Sequence, residues 1–147
     1  MPFRLSRLAA EVSAALAEEY SDRYGIDVPE WRVIATLGFR QSPCSAQFIS
    51  QCTRTHKSTI SRAVTTLLRQ KVLERVENKE DRREFNLRLS RKGRALYEQL
   101  IPQLLSKELT IMSCLSARER KDFARMLGKI ESSLDLVQAD REGESGY

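Results

Sequence analysis

Residues 56–89 narrow the possible folds of this 147-residue chain more than any other stretch. From position 56 to about 71, Ile60, Val64, Leu67 and Leu68 recur at intervals of three and four, the period of one face of a helix. The opposite side carries Lys57, Ser58, Ser61, Arg62, Thr65 and Arg69, all of them cationic or hydrogen-bonding. Such a helix rests on a core and turns a polar back outward. The period then changes. Residues 72–77 and 83–89 read as strands, and in the second Phe85, Leu87 and Leu89 alternate with Glu84, Asn86 and Arg88. The connection between them, Asn78-Lys79-Glu80-Asp81-Arg82-Arg83, is polar or charged throughout and predicts a protruding hairpin tip.

Helical patterns flank this block. Leu5, Leu8, Val12 and Leu16 define a first helix over residues 5–24, ended by Gly25. A second opens at Pro29, whose fixed φ suits a first turn, and carries Trp31, Ile34, Ala35 and Leu37 toward Phe39 before Ser42-Pro43 breaks it. Ser45 is the expected N-cap of a short helix over 46–52 that buries Phe48 and Ile49. Thr53-Arg54-Thr55 then form a polar turn. A long helix starts near Ser90 with Leu96, Leu100 and Leu104, and Pro102 predicts a bend within it. Ser116-Ala117-Arg118-Glu119 matches a capping box, opening a last helix whose Phe123, Leu127, Ile130, Leu134 and Val137 step by four and three like a coiled-coil seam. The polar tail over 139–147 is expected to be disordered.

Composition excludes several classes. No apolar run approaches the roughly 20 residues of a membrane span, and the N-terminus lacks the separate apolar stretch of a signal peptide, so a cytoplasmic location is expected. Three cysteines, Cys44, Cys52 and Cys114, with the single His56 have no metal-type spacing; they read as small buried or half-buried thiols, with no metal and no cofactor expected. Of the three, Cys52 beside the basic segment has the best claim to reactivity. The net charge of +5 is modest, yet residues 54–94 hold 13 lysines and arginines against 5 acidic residues, while the remainder holds 12 against 15. A basic centre between mildly acidic ends is the footprint of a surface that meets a polyanion.

Helix, turn, basic amphipathic helix and charged hairpin follow one another in the order of a winged helix-turn-helix. The predicted fold class is mainly α with a small β-hairpin wing, with N- and C-terminal dimerisation helices. The expected organisation is an N-terminal dimerisation helix over 1–28, the reader over 29–92 and C-terminal dimerisation helices over 93–138. A helix of this diameter fits the major groove of double-stranded DNA, where donor and acceptor patterns distinguish base pairs. Arg62 can donate to guanine O6 and N7. Ser58, Thr59 and Thr65 are short enough for bases or phosphates, and Lys57 and Arg69 suit phosphates. Ser45, Thr55, His56 and Ser61 complete the candidate contacts from the helices, and Arg75, Lys79, Asp81, Arg82 and Arg83 those from the hairpin. The first helix and the last two display more apolar face than so small a reader covers. A twofold homodimer would cover them and would set two recognition helices about 34–36 Å apart, over a pseudo-palindromic site.

The stretches Lys57-Ser-Thr-Ile-Ser-Arg62, Leu73-Glu-Arg-Val76, Asp81-Arg-Arg83 and Leu89-Ser-Arg-Lys-Gly93 resemble the MarR family of bacterial regulators, over about residues 29–96. The resemblance implies that Asp81 braces the wing tip and that Arg82 or Arg83 enters the minor groove, where narrow geometry concentrates negative potential. It also implies repression relieved by a small aromatic or anionic effector bound between dimer helices and reader. Trp31, Phe3, Arg4 and Arg7 are the candidate ligand contacts, since an arginine beside an aromatic ring suits an aromatic carboxylate. Pro29-Glu-Trp-Arg32 is similar to members that sense aromatic acids or their coenzyme A thioesters. Two departures stand out. Gln70-Lys71 replaces the usual glycine after the recognition helix, and Ser90 replaces the commoner threonine. Nothing near the N-terminus matches the family's peroxide-sensing cysteine.

Two other classes fit less well. Catalysis needs grouped nucleophiles, bases or a phosphate-binding loop, and the sequence offers none of these. A protein-protein adaptor built on a winged helix needs apolar anchors on the outward face from Lys57 to Arg69, which is polar instead.

Overall fold

The computed structural model describes residues 1–136. Chain order gives α1 (Pro2–Tyr24), α2 (Val28–Arg40), α3 (Ala46–Thr53), α4 (Lys57–Arg69), β1 (Leu73–Glu77), β2 (Phe85–Leu89), α5 (Arg91–Ile111), a 3-10 turn at Met112–Cys114, and α6 (Ala117–Ser133). The chain forms two compact units, one of residues 26–99 and one combining residues 1–25 with 100–136. No described helix is long and apolar enough to cross a membrane.

In the first unit, α2, α3 and α4 enclose Val33, Ile34, Leu37, Ile49, Ile60, Ala63, Val64 and Leu67, all buried. Each large aliphatic side chain among them contributes about 1.5–3 kcal/mol relative to exposure. β1 and β2 pair antiparallel with Leu73 opposite Leu89, Arg75 opposite Leu87 and Glu77 opposite Phe85. These pairs share one face of the hairpin, which is buried at its root through Leu73, Leu87 and Leu89 and exposed at its outer end, where Phe85 lies. Cys44, between α2 and α3, exchanges both backbone hydrogen bonds with Leu87 (3.1 and 2.8 Å), so a single residue extends the sheet on the β2 side.

Several boundaries differ from those expected. α2 opens one residue before Pro29, because Asp27 and Glu30 form a capping box: Asp27 Oδ1 accepts the Glu30 N–H at 2.8 Å and Glu30 Oε2 accepts the Asp27 N–H at 3.0 Å. Phe48 and Leu68 are half-buried, while Ala63 is buried on the core face of α4. Phe85 is exposed and carries the Arg75 guanidinium 4.3 Å from its ring centroid.

The second unit contains α1, the rest of α5, and α6. α1 begins at Pro2 and ends on Gly25, whose φ of 64° is the left-handed cap anticipated for a glycine. α5 runs through Pro102 to Ile111. α6 opens on the expected capping box, with Ser116 Oγ and Glu119 Oε2 each accepting the other residue's N–H. The helix ends at Ser133, so Leu134 falls at its C-cap, 64% exposed, and the apolar seam is shorter than its spacing suggests. Val137 and residues 139–147, the expected tail, lie outside the described residues. No residue of α6 is buried.

Candidate nucleic-acid interface

The hairpin and α4 place most of the candidate contacts on exposed ground. On α4 the buried residues lie on one side, and Lys57, Ser58, Ser61, Arg62, Thr65 and Arg69 are all exposed on the other. Among the described residues none of these cations enters a salt bridge; the salt bridges that form hold Arg88, Lys107 and Arg125. The three charges are therefore available to a ligand that supplies its own anions.

The start of α4 is held by His56, whose Nδ1 accepts the Ser58 N–H at 3.2 Å and lies 2.8 Å from Ser58 Oγ. Its end meets the departure read in the sequence. Lys71 takes φ 60°, the left-handed conformation the missing glycine would adopt without strain. The Lys71 N–H donates to Leu68 O (3.0 Å) and the Val72 N–H to Leu67 O (2.9 Å), the paired pattern of a Schellman cap. Side chains from the β2–α5 junction complete it. Ser90 Oγ donates to Lys71 O (2.6 Å) and lies 3.0 Å from Val72 O, while Lys92 Nζ donates to Gln70 O at 2.9 Å. Ser90 Oγ also accepts the Gly93 N–H at 3.0 Å, and a Cβ on Gly93 would collide with the Val72 carbonyl. The C-terminus of the outward-facing helix is thus clasped directly to the start of α5.

At the wing tip, Asn78 Oδ1 accepts N–H groups from Glu80 (3.1 Å) and Asp81 (3.3 Å), and Asp81 Oδ1 accepts the Arg83 N–H at 3.0 Å. Both carboxylate and amide fold the tip locally and leave Arg82, Arg83 and Lys79 exposed, without an ion pair among the described residues. Across the strands, Arg88 pairs with Glu74 at 3.0 Å on the face opposite Arg75. That pair is exposed and adds at most about 1 kcal/mol.

Other candidates are committed internally. Ser45 Oγ accepts the Phe48 N–H at 3.1 Å, as an N-cap should. Thr55 Oγ1 donates to Thr53 O (3.3 Å) and accepts from Arg32 Nη1 (3.0 Å), so this hydroxyl ties α2 to the turn. Thr59 is half-buried. Arg54, passed over in the sequence, takes φ 52° as the C-cap of α3 and is exposed in the turn. A cation between two short helices was the available signal for it.

The ligand candidates fall in different units. On α1, Arg7 lies over the Phe3 ring at 5.9 Å, and a shallow groove is lined by Met1, Arg4, Leu5, Arg7, Leu8 and Glu11. In the reader unit, Trp31 stacks on Tyr97 with centroids 6.2 Å apart and planes 16° from parallel. Arg94 lies over the same tyrosine at 5.6 Å and donates to Gly38 O at 3.1 Å. Gly38 has no room for a side chain because the Tyr97 ring occupies the space. Neither Tyr97 nor Arg94 was legible in advance, since only the α2–α5 packing brings them to Trp31.

The thiols differ from expectation in one respect: Cys114 is exposed. Burial pushes the Cys44 thiol up to about 11 despite the nearby Arg40, and burial also raises Cys52. Cys52 therefore lacks the low-pKa setting that reactivity needs.

The description of the MarR family matches residues 24–84. A solved MarR/EmrR-family regulator from Acinetobacter sp. ADP1 superposes with a TM-score of 0.80 at 27% identity, covering 91% of this chain and 94% of that one. Over this span the chain is similar to MarR-family transcriptional regulators. Among curated MarR-family relatives, the HTH-type transcriptional regulator PecS of Dickeya dadantii (strain 3937) is 28% identical over 132 residues, covering 88% of this chain and 79% of PecS. The Staphylococcus aureus MepR–DNA complex shares the fold, with a TM-score of 0.75 at 21% identity over 90% of this chain and 97% of that one. The stretch that the family description matches contains the winged helix, and α4 with the β1–β2 wing is its cationic part.

Proposed function

We propose that this protein is a homodimeric repressor that reads a pseudo-palindromic operator and releases it when a small aromatic or anionic molecule binds. One observation carries the operator reading: the outward side of α4 holds three cations and three hydroxyls with no acidic residue, beside a wing whose tip arginines are unpaired among the described residues. Guanidinium and ammonium groups left without protein partners find them on phosphates and guanine edges.

Dimer formation is supported by the second unit. Residues 1–11 are exposed throughout, α6 buries nothing, and Leu105, Leu109, Met126 and Ile130 are about half exposed or more. Monomeric proteins rarely leave contiguous apolar patches larger than a few hundred Å². An effector reading rests on the Trp31–Tyr97–Arg94 cluster, which offers an aromatic platform and a guanidinium, and on the groove with Arg4 and Arg7 beside Phe3. For a structural neighbour, BpsR of Bordetella bronchiseptica, regulation of DNA binding by 6-hydroxynicotinic acid is described; at 21% identity it lends the fold and suggests the class of ligand to try. Such a ligand must favour the state that does not bind DNA, and DNA must then weaken the ligand by the same factor.

The test is binding of genomic promoter fragments at several salt concentrations. The logarithm of affinity is expected to fall linearly with the logarithm of salt, with a slope set by the phosphates contacted. Arg62→Ala is expected to cost about 1–3 kcal/mol at one base pair and to relax preference there. Indifference of the protein to every fragment at low salt would refute the operator reading.

A further inference from the structure

The hydrogen bonds at the start of α4 determine which way the Ser58 hydroxyl proton points. The Ser58 N–H can only donate, and its acceptor is His56 Nδ1 at 3.2 Å. Nδ1 therefore carries the ring's lone pair, and the imidazole proton resides on Nε2. The second contact, 2.8 Å between Nδ1 and Ser58 Oγ, then has only one possible sense, with the hydroxyl donating to the ring. Ser58 has no other hydrogen on that oxygen, so its outward side presents lone pairs alone. Thr65, two turns along the same exposed face, is in the same condition, because Oγ1 donates to Ser61 O at 2.9 Å. Arg62 between them has only donors.

We infer that His56 is a positioning residue for base reading, fixing Ser58 as an acceptor-only reader. The base facing Ser58 is then one with an exocyclic amino group in the major groove, adenine at N6 or cytosine at N4. Guanine and thymine, which offer acceptors there, are disfavoured. The inference rests on α4 lying in the major groove with its first turn at the base edges. For Ser58 to donate to guanine or thymine, its bond to His56 must break, and a neutral hydrogen bond of this kind is worth about a two- to tenfold preference.

The experiment is selection of bound duplexes from a randomised library by the full chain, carried out with the wild type and with Ser58→Ala, His56→Ala and His56→Asn. Ser58→Ala identifies the position that Ser58 reads, because the preference there is lost. At that position the wild type is expected to select adenine or cytosine. His56→Ala frees the hydroxyl proton, so guanine and thymine should rise about two- to tenfold there while other positions hold. His56→Asn has an amide oxygen able to accept both hydrogens and should restore the wild-type choice, which a merely structural cap would not predict base by base. Nitrogen-15 shifts give a reading independent of the variants' folding. His56 is the sole histidine of the chain, and its Nδ1 should show as the unprotonated nitrogen. A proton on Nδ1, guanine or thymine at the Ser58 position in the wild type, or an unchanged preference in His56→Ala each overturns the inference while leaving DNA binding intact. Failure of the wild type to enrich any sequence instead removes the groove reading of α4, and this inference with it.

Discussion

Lys71 occupies a backbone conformation that costs a β-carbon-bearing residue about 1–2 kcal/mol, and it does so where the chain must turn from α4 into β1. Ser90 and Lys92 hold that turn from outside, each donating to a carbonyl at the helix end. Lys71→Gly should therefore raise stability by about 0.5–1 kcal/mol, read as a higher midpoint in urea unfolding, because the strain disappears while the clasp remains. The missing glycine was legible in the sequence; its compensation was not, because Ser90 and Lys92 reach back across some twenty residues through contacts that only the hairpin creates. Cys44 makes a second residue-scale case. Its thiol is raised from about 9 to about 11 by burial, so the folded state favours the protonated form. The stability this represents is complete below pH 9, where the unfolded thiol is also protonated, and is lost as pH rises from about 9 toward 11. Two pH units correspond to at most about 2–3 kcal/mol. Thermal unfolding at pH 7 and pH 10.5 should show a smaller alkaline loss in Cys44→Ala than in the wild type. Equal losses in the two proteins would show that the thiol is not the group responsible.

Periodicity reveals an element when its faces differ, and α4 and β2 were readable for that reason. Ile60, Val64 and Leu67 are buried while Lys57, Arg62 and Arg69 are exposed, and the alternation in β2 holds at Leu87 and Leu89. It fails at Phe85 because the hairpin extends past the core there, and Arg75 covers the ring instead of an aliphatic neighbour. α2 starts one residue before Pro29 because Asp27, whose aspartate-x-x-glutamate spacing closes a capping box as well as a serine would, sets its N-terminus. α6 ends before Leu134, which falls at the C-cap, and apolar spacing says nothing about whether the backbone is still helical there. The wing tip gives this scale its prediction. Asp81 folds the tip by accepting the Arg83 N–H and points no charge at a partner cation. Asp81→Asn keeps an accepting oxygen and should preserve DNA affinity or raise it slightly as a negative charge leaves the interface. Asp81→Ala loses the bond and should weaken binding several-fold, evenly across sequences, since the tip arginines lose their fixed origin. Fluorescence anisotropy with specific and unrelated duplexes separates the two variants. Equal affinities for Asp81→Ala and Asp81→Asn would mean that charge, not bracing, is what matters at this position.

At the scale of the whole molecule, the proposed reading of DNA with one cationic helix and one wing would give a small contact area, and affinity would then come from repetition. The unit formed by α1, α6 and the later part of α5 has the means, with Leu105 and Leu109 on α5 and Met126 and Ile130 on α6 left in water by a single chain. Covering these side chains between two copies, as proposed, would recover about 25 cal/mol per Å² of apolar surface and would give α6, which buries nothing alone, a packing partner. Leu109 is the most informative of them, being 60% exposed in one chain, so a charge there is harmless to the monomer and costly only in an interface. Leu109→Glu should sediment as a monomer at micromolar concentration with its circular dichroism unchanged, whereas the wild type sediments as a dimer. The variant should bind a half-site as well as the wild type does, yet lose about two to four orders of magnitude on the full operator, the factor that linked binding sites supply through effective concentration. A wild type that sediments as a monomer, or a Leu109→Glu protein that keeps full operator affinity, would mean that one winged helix suffices and that the exposed leucines serve something other than self-association.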